Sequence, residues 1–381
     1  MLRKLIIRNI NSVDVCEIDF TKGNYKFANE NVLGNYVNPI VIYGHNGSGK
    51  SSVMSAMAQF ISLLTQPMES LGPFIVNNFL FEEYAKDQIH NQEKVKGSVE
   101  LYFDIDKDEY VYYLETSRHL SAISKEYLLK NQEEYFKRDE KELIYKGEKK
   151  AIGPMYRLAP SLRTLASSEI SDVTIQMAFA QISSYTHINV SYINRGAFVT
   201  SKLFVNANTF DLLVEKSEEV KKILKEYDNF PVYSIKKSEL TAPNGITAPQ
   251  YNIVFDDGSF KGQLPMAMIS TGMQNQSVLL SLLLSMPKDS VLFIDELDIA
   301  LHPSAIQSFL KVVRERQIQV VMSLHNTNAM QILRPDQVYF AKWKKGFSYY
   351  YRLSKIYPNI REINNMEKMY LSSLFDEAIK E

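Results

Sequence analysis

Gly44-His45-Asn46-Gly47-Ser48-Gly49-Lys50-Ser51, followed by Ser52, fills every fixed position of a phosphate-binding P-loop. Ahead of it, Pro39-Ile40-Val41-Ile42-Tyr43 is a short β-branched run, expected as a strand buried on both faces in a parallel sheet. Behind it, Val53, Met57, Phe60, Ile61 and Leu64 recur at helical spacing, which predicts a helix over Ser51–Leu64. Such a loop needs this strand–loop–helix context. Its glycines allow a tight turn whose N–H groups face inward onto phosphate oxygens, and the helix N-terminus adds a favourable dipole. Lys50 supplies a point charge for the β- and γ-phosphates of ATP, and the Ser51 hydroxyl can ligate Mg²⁺. The candidate nucleotide-binding residues are therefore Gly44, Asn46, Gly47, Ser48, Gly49, Lys50, Ser51 and Ser52.

A second apolar run, Val291-Leu292-Phe293-Ile294, ends in Asp295 and Glu296. Four apolar residues carry the chain through a sheet and two carboxylates emerge at its end. Asp295 is expected to hold the magnesium shell, and Glu296 to polarise an attacking water as general base. Ile318–Met322 reads as the next strand and ends near His325, an imidazole placed to touch the γ-phosphate. Ser270 and Gly272 precede the apolar helix expected over Ser277–Met286; a serine and a glycine there can present a hydroxyl and N–H groups to an anion. Lys50, Glu296 and His325 are the candidate catalytic residues, and Ser51 and Asp295 the candidate metal ligands.

Alternation of apolar and polar residues predicts hairpins over Leu5–Phe20, Val99–Leu114 and Val338–Leu353. Helical spacing marks Phe210–Tyr227 and Pro303–Arg316. The densely charged stretch Lys125–Lys150 is expected as solvated helix and loop, and Pro231, Pro243, Gly245 and Pro249 punctuate a boundary. Strand and helix alternate through the last third, as in an α/β sheet.

Composition excludes several classes. With 45% apolar and 23% charged residues the chain is not disordered. Its 43 basic residues against 44 acidic leave a net charge of −1, so no whole-surface basic field is available for nucleic acid, though a local patch stays possible. One cysteine, Cys16, excludes an internal disulfide framework and a Cys-based zinc site. No apolar run reaches the roughly 20 residues of a membrane span. A cytoplasmic protein without membrane partners is expected.

The P-loop, Ser270-Thr271-Gly272, Asp295-Glu296 and His325, in that order, resemble the heads of ABC-type ATPases. The opening Leu5–Ser12 is similar to the first strands of SMC and RecF heads, and Asp295–Pro303 resembles the OLD-type ATPases. Arg334–Phe340, Tyr350–Ser354 and Glu367–Leu371 resemble the RloA-like bacterial AAA/ABC ATPases, which commonly act in immunity against phage or foreign DNA.

The resemblance implies an α/β P-loop NTPase of ABC-head type. Its mixed central sheet would carry an antiparallel β subdomain and a largely helical insertion. Residues 1–117 and 246–381 would form the head and 118–245 the insertion. It further implies ATP and Mg²⁺ as ligands, ATP hydrolysis, and a homodimer, or a higher oligomer built on it, in which Ser270 completes the partner's site, with a separate effector protein, a nuclease or toxin, beside it. Direct DNA binding, as in a RecF- or SMC-like repair or maintenance ATPase, is the alternative. The signature lacks a double glycine, and Ser323-Leu324-His325 stands where Thr-Thr-His is usual. Gln132, Gln176 and Gln181 all remain candidates for the glutamine that couples the metal to the inserted lobe. The stretch after His325 is too short for the Toprim nuclease of OLD proteins, so no nuclease activity is expected of it.

Overall fold

The computed structural model describes residues 1–76, 96–118, 120–169, 172–189, 211, 214–225, 233–241, 245, 247–256, 261–265, 268–299, 301 and 303–375. The chain divides into two compact units. The first holds Met1–His187, Asp289–Asp295 and Gln319–Glu381; the second holds Ile188–Lys288 and Glu296–Ile318.

In the first unit the opening alternation becomes an antiparallel hairpin, β1 (Leu2–Ile10) and β2 (Val13–Asp19), with Leu5 opposite Ile18 and Ile7 opposite Cys16. Asn9 and Asn11 take φ of 51° and 54° at its turn, a left-handed conformation that asparagine tolerates. A two-stranded ribbon, β3 (Val32–Leu33) and β4 (Tyr36–Val37), precedes the fully buried β5 (Ile40–Tyr43) and helix α1 (Lys50–Thr65). An antiparallel meander follows: β6 (Lys96–Ile105), β7 (Asp108–Ser117), β8 (Ala122–Lys130), β9 (Glu133–Asp139), β10 (Glu142–Tyr145) and β11 (Glu148–Ala151).

The Lys125–Lys150 stretch is therefore strand, not the helix and loop expected from its charge. Leu128, Phe136 and Arg138 are buried, while Lys125, Lys137 and Glu148 are exposed. Here the period-2 pattern is written largely in charged residues, because one face of an antiparallel sheet can be solvated. Two short helices, α2 (Ser161–Ala166) and α3 (Val173–Ser183), then lead to β12 (Thr186–Asn189). Glu126, fully buried on β8, accepts from the N–H groups of Ser161 (2.7 Å) and Leu162 (2.9 Å) at the start of α2, and from the Tyr112 hydroxyl (2.9 Å).

The second unit contains α4 (Ser217–Lys225), an antiparallel sheet of β13 (Tyr233–Thr241), β14 (Thr247–Asp256) and β15 (Lys261–Pro265), and α5 (Thr271–Ser285). Phe210 and Tyr227, the ends of the helix expected there, lie outside the described residues. The chain returns to the first unit as β16 (Val291–Asp295), re-enters the second as α6 (Pro303–Glu315), and comes back as β17 (Gln319–Ser323). Within the second unit the Arg316 guanidinium donates to Glu219 at 2.9 Å and to the Leu284 carbonyl at 3.2 Å, tying α4 to α5.

A closing hairpin, β18 (Val338–Lys344) and β19 (Phe347–Arg352), joins the first unit's sheet, followed by the short helices α7 (Leu353–Ile356) and α8 (Met366–Leu371). The fourteen-stranded sheet runs β11-β10-β9-β8-β7-β6-β1-β2-β19-β18-β5-β17-β16-β12. Its β18-β5-β17-β16 portion is parallel, with Val321 opposite Ile40 and Tyr339 opposite Ile42. Ile294 sits opposite Met322 and Ser323 opposite Ile42, so three strands end level with one another beside the P-loop. Ligand sites of open parallel sheets form at this carboxyl edge. Among the described residues no helix is long and apolar enough to cross a membrane.

Buried polar side chains fix the order. Gln319 accepts from Leu2 N–H (2.6 Å) and donates to the Leu2 carbonyl (2.8 Å), and Gln337 donates to the Pro39 carbonyl (2.7 Å). Arg334, only 1% exposed, grips Asp336 bidentately (3.0 and 3.1 Å) and donates to the carbonyls of Gly23, Tyr25 and Phe27. Arg334→Ala would leave the Asp336 carboxylate buried without its cation, a change that typically costs about 3–5 kcal/mol. We expect a correspondingly lower midpoint in urea unfolding; a shift below about 1 kcal/mol, the range of an exposed pair, would contradict this role.

Candidate functional site

The loop between β5 and α1 has the backbone of a cradle. Gly47 and Gly49 adopt φ of 77° and 101°, which favour glycine. A Cβ on Gly49 would also lie 2.0 Å from the Ser348 hydroxyl, and one on Gly44 would lie 2.5 Å from both the Ala341 carbonyl and the Ser48 hydroxyl. Lys50, buried at the first turn of α1, donates to the carbonyls of Gly44 (2.8 Å) and His45 (3.2 Å), which holds its ammonium across the loop. The buried Ser48 hydroxyl has no hydrogen-bond partner among the described residues.

Asp295 closes the other side. Its Oδ1 accepts from the Ser51 hydroxyl at 3.1 Å and the Ser323 hydroxyl at 2.6 Å, and the residue is 3% exposed. One carboxylate oxygen thus meets the start of α1 and the ends of β16 and β17. His325 is exposed, two residues beyond Ser323. Lys50, Ser51, Asp295 and His325 all belong to the first unit, together with Gly44, Asn46, Gly47, Ser48, Gly49 and Ser52. Glu296, directly after Asp295 in the chain, opens the second unit's last segment with φ of 58°. Ser270 and Gly272 also belong to the second unit; Ser270 is exposed immediately before α5 and Gly272 is half-buried in its first turn.

Several neighbours outside the phosphate loop and the carboxylate pair support them. The β1–β2 turn braces the start of α1: Asn11 donates to the Ser52 carbonyl (3.2 Å), and the Ser12 hydroxyl bonds those of Ser52 and Ser348, both at 2.7 Å. Tyr350 on β19 donates to the Gly49 carbonyl at 2.7 Å. Only the small, polar Asn-Ser content of the turn hints at this in sequence. His187 on β12 lies within electrostatic reach of Asp295. Burial lowers its pKa to about 4, against the opposing pull of the Asp295 carboxylate, so its imidazole is neutral at pH 7. Of the three glutamine candidates, Gln132 is exposed in the β8–β9 turn, Gln176 is exposed on α3, and Gln181 donates to the Asp289 carbonyl at 2.8 Å. Beside the loop a cavity of about 300 Å³ is lined by His45–Ser48 and by Phe340, Trp343, Tyr370 and Phe375. Phe340 stacks on Tyr370 and Phe375 with ring centroids 5.3 and 5.0 Å away.

These residues fit a magnesium nucleotide. A glycine-walled loop, a buried lysine and an orphaned serine hydroxyl suit phosphate oxygens. Ser51 and Asp295 offer hard oxygens; Mg²⁺ usually takes one or two protein oxygens and completes its shell with phosphate and water. Among the described residues no group of three or more His, Cys, Asp or Glu side chains could hold a metal by itself. Gly49→Ala drives a methyl into Ser348 and strains the left-handed backbone. We expect ATP affinity, read by equilibrium dialysis, to fall by roughly tenfold or more, about 1.4 kcal/mol. Adding Ser348→Gly should recover part of the loss; full affinity in the single variant would contradict the cradle.

No curated protein matches the chain. Residues 40–331 match the family described as "AAA domain, putative AbiEii toxin, Type IV TA system". Among solved structures, an SMC head bound to the C-winged-helix domain of ScpA is similar over 93% of this chain and 98% of that one, at 13% identity and a TM-score of 0.50. The SMC head of Thermotoga maritima aligns over 92% and 98% at 13% identity and a TM-score of 0.47. The recombination mediator RecF with ATP aligns over 92% and 99% at 9% identity and 0.39. The first of these shows the shared fold, a mixed α/β head built on a large mixed sheet. Because the family match spans well over half its length, the chain belongs to this AAA-domain family.

Proposed function

We propose that this chain is a Mg²⁺-dependent ATPase working in the cytoplasm as a nucleotide-driven dimer switch of a prokaryotic defence module, governing a separate effector. The observation that carries the reading is the Asp295 carboxylate bonded to Ser51 at the P-loop helix. It joins the phosphate cradle to the end of a parallel strand, the arrangement that phosphoryl transfer needs. The family's description, with its reference to a toxin–antitoxin system, supports the defence setting.

In this reading Lys50 and the loop N–H groups bind the β- and γ-phosphates. Ser51 and Asp295 would hold Mg²⁺, which when bound neutralises charge on the phosphates. Glu296 takes a proton from the water that attacks the γ-phosphorus as the bond to the β–γ bridging oxygen breaks, giving ADP and phosphate. His325, beyond the same strand end as Ser323, contacts the γ-phosphate. The wall of Phe340, Trp343 and Tyr370 offers the base a flat apolar face. Ser270 and Gly272 complete the site of a second copy, so ATP favours the closed dimer by its differential affinity for that state.

Glu296→Gln should bind ATP and stop before hydrolysis. Light scattering is expected to give twice the monomer mass for this variant with Mg-ATP and the monomer mass without it, while Lys50→Ala stays monomeric in both. One mass throughout for Glu296→Gln would contradict the dimer switch.

A further inference from the structure

A second cavity lies within the first unit, among the ends of the β meander and α2. It measures about 490 Å³, within the usual range for small-molecule sites. Among the described residues, three cations line it, Arg138, Lys150 and Arg163, and no Asp or Glu does. Four hydroxyls, from Ser161, Thr164, Ser167 and Ser168, line the same space.

Arg138 is the telling member. It is 4% exposed, and its Nη atoms donate to the carbonyls of Ala159 (2.6 Å), Tyr156 (2.9 Å) and Arg157 (3.0 Å). Its buried Nε–H has no hydrogen-bond partner among the described residues. Among the described residues its ion pair is with Glu126 at 3.8 Å, which already accepts from two backbone N–H groups and the Tyr112 hydroxyl, and Asp139 adds a smaller attraction. Glu126 balances the charge of Arg138, which leaves Lys150 and Arg163 as the excess positive charge at the wall. Among the described residues the counter-charge of Lys150 is the largely exposed Glu148, 3.9 Å away. Burying unused donors is costly, and a planar guanidinium fork matches phosphate oxygens.

We propose that this cavity binds a phosphate-bearing small molecule of nucleotide size, at a site separate from the P-loop. Arg163, Lys150 and the hydroxyls take the phosphate oxygens, and Met68, Leu143 and Tyr156 supply an apolar wall for the remainder. The site is wired to the nucleotide loop. Arg163 donates to the carbonyl of Gln66, the residue that caps α1, and α1 begins at Lys50. Sixteen helical residues, about 24 Å, separate the two ends.

The test uses the full chain carrying Lys50→Ala, which weakens phosphate binding at the P-loop, with AMP and pyrophosphate as probes in isothermal titration calorimetry. One saturable site is expected for at least one probe. Adding either Lys150→Ala or Arg163→Gln should weaken it at least tenfold. Lys150 is half-exposed and makes no bond to α1, so its variant keeps the fold even where Arg163→Gln loosens the helix cap. Absence of saturable binding to Lys50→Ala at millimolar probe, or an affinity that either added substitution leaves unchanged, would overturn the proposal. Because every arm lacks Lys50, the result is independent of the P-loop reading.

Discussion

A single oxygen organises the candidate site. Asp295 Oδ1 accepts from Ser51 and from Ser323, so the loop helix and two neighbouring strand ends converge on one buried carboxylate. Hydrogen bonds to an ionised acceptor in a dry environment are among the stronger ones, and each fixes a side chain that would otherwise rotate. The convergence depends on register. With Ile294 level with Met322, and Met322 with Val41, the three strands deliver Asp295, Ser323 and the P-loop to one edge; a slip of one residue would turn the carboxylate to the opposite face. Gln319, Asn38 and Gln337 hold that register through buried bonds to backbone groups of Leu2, Val320 and Pro39.

Much of this was legible in the residues. The runs Ile40–Tyr43 and Val291–Ile294 are uninterrupted and apolar, which is what a strand covered on both faces requires, and the glycines at 44, 47 and 49 stand where the cradle needs space or positive φ. What stayed hidden has a common cause. The stretch Lys125–Lys150 alternates as a strand does, but its open face is charged, and alternation of Lys and Glu is easily taken for a solvated helix. Ser12, Ser323, Ser348 and Tyr350 support the loop from far along the chain, Tyr350 from 301 residues beyond Gly49. Single hydroxyls at such separations leave no periodic trace. His187 was missed for the same reason: only the sheet brings it near Asp295.

The closing segment shows how a motif can be structural. Arg334-Pro335-Asp336-Gln337 drew notice as a family-like signature. Its arginine is spent on carbonyls of the 23–27 loop and its glutamine on Pro39, directly before the strand that carries the P-loop. Arg352 extends the clamp by donating to the Asp336 carbonyl (2.9 Å) and to Asp19 (3.1 Å), so the last hairpin is fastened to the first. The N- and C-terminal portions of the chain therefore fold as one body, and the loop's position rests on residues some three hundred positions downstream.

The central claim is that the loop and Asp295 together form a magnesium-nucleotide site. It is tested most directly by measuring phosphate release from ATP under single-turnover conditions across a magnesium titration, for the unmodified chain and for Asp295→Asn and Lys50→Ala. The account predicts magnesium-dependent release by the unmodified chain, loss of at least two orders of magnitude in Lys50→Ala, and a similarly low rate in Asp295→Asn, with a higher magnesium requirement. Release that is independent of magnesium, or that persists undiminished in Asp295→Asn, would contradict it.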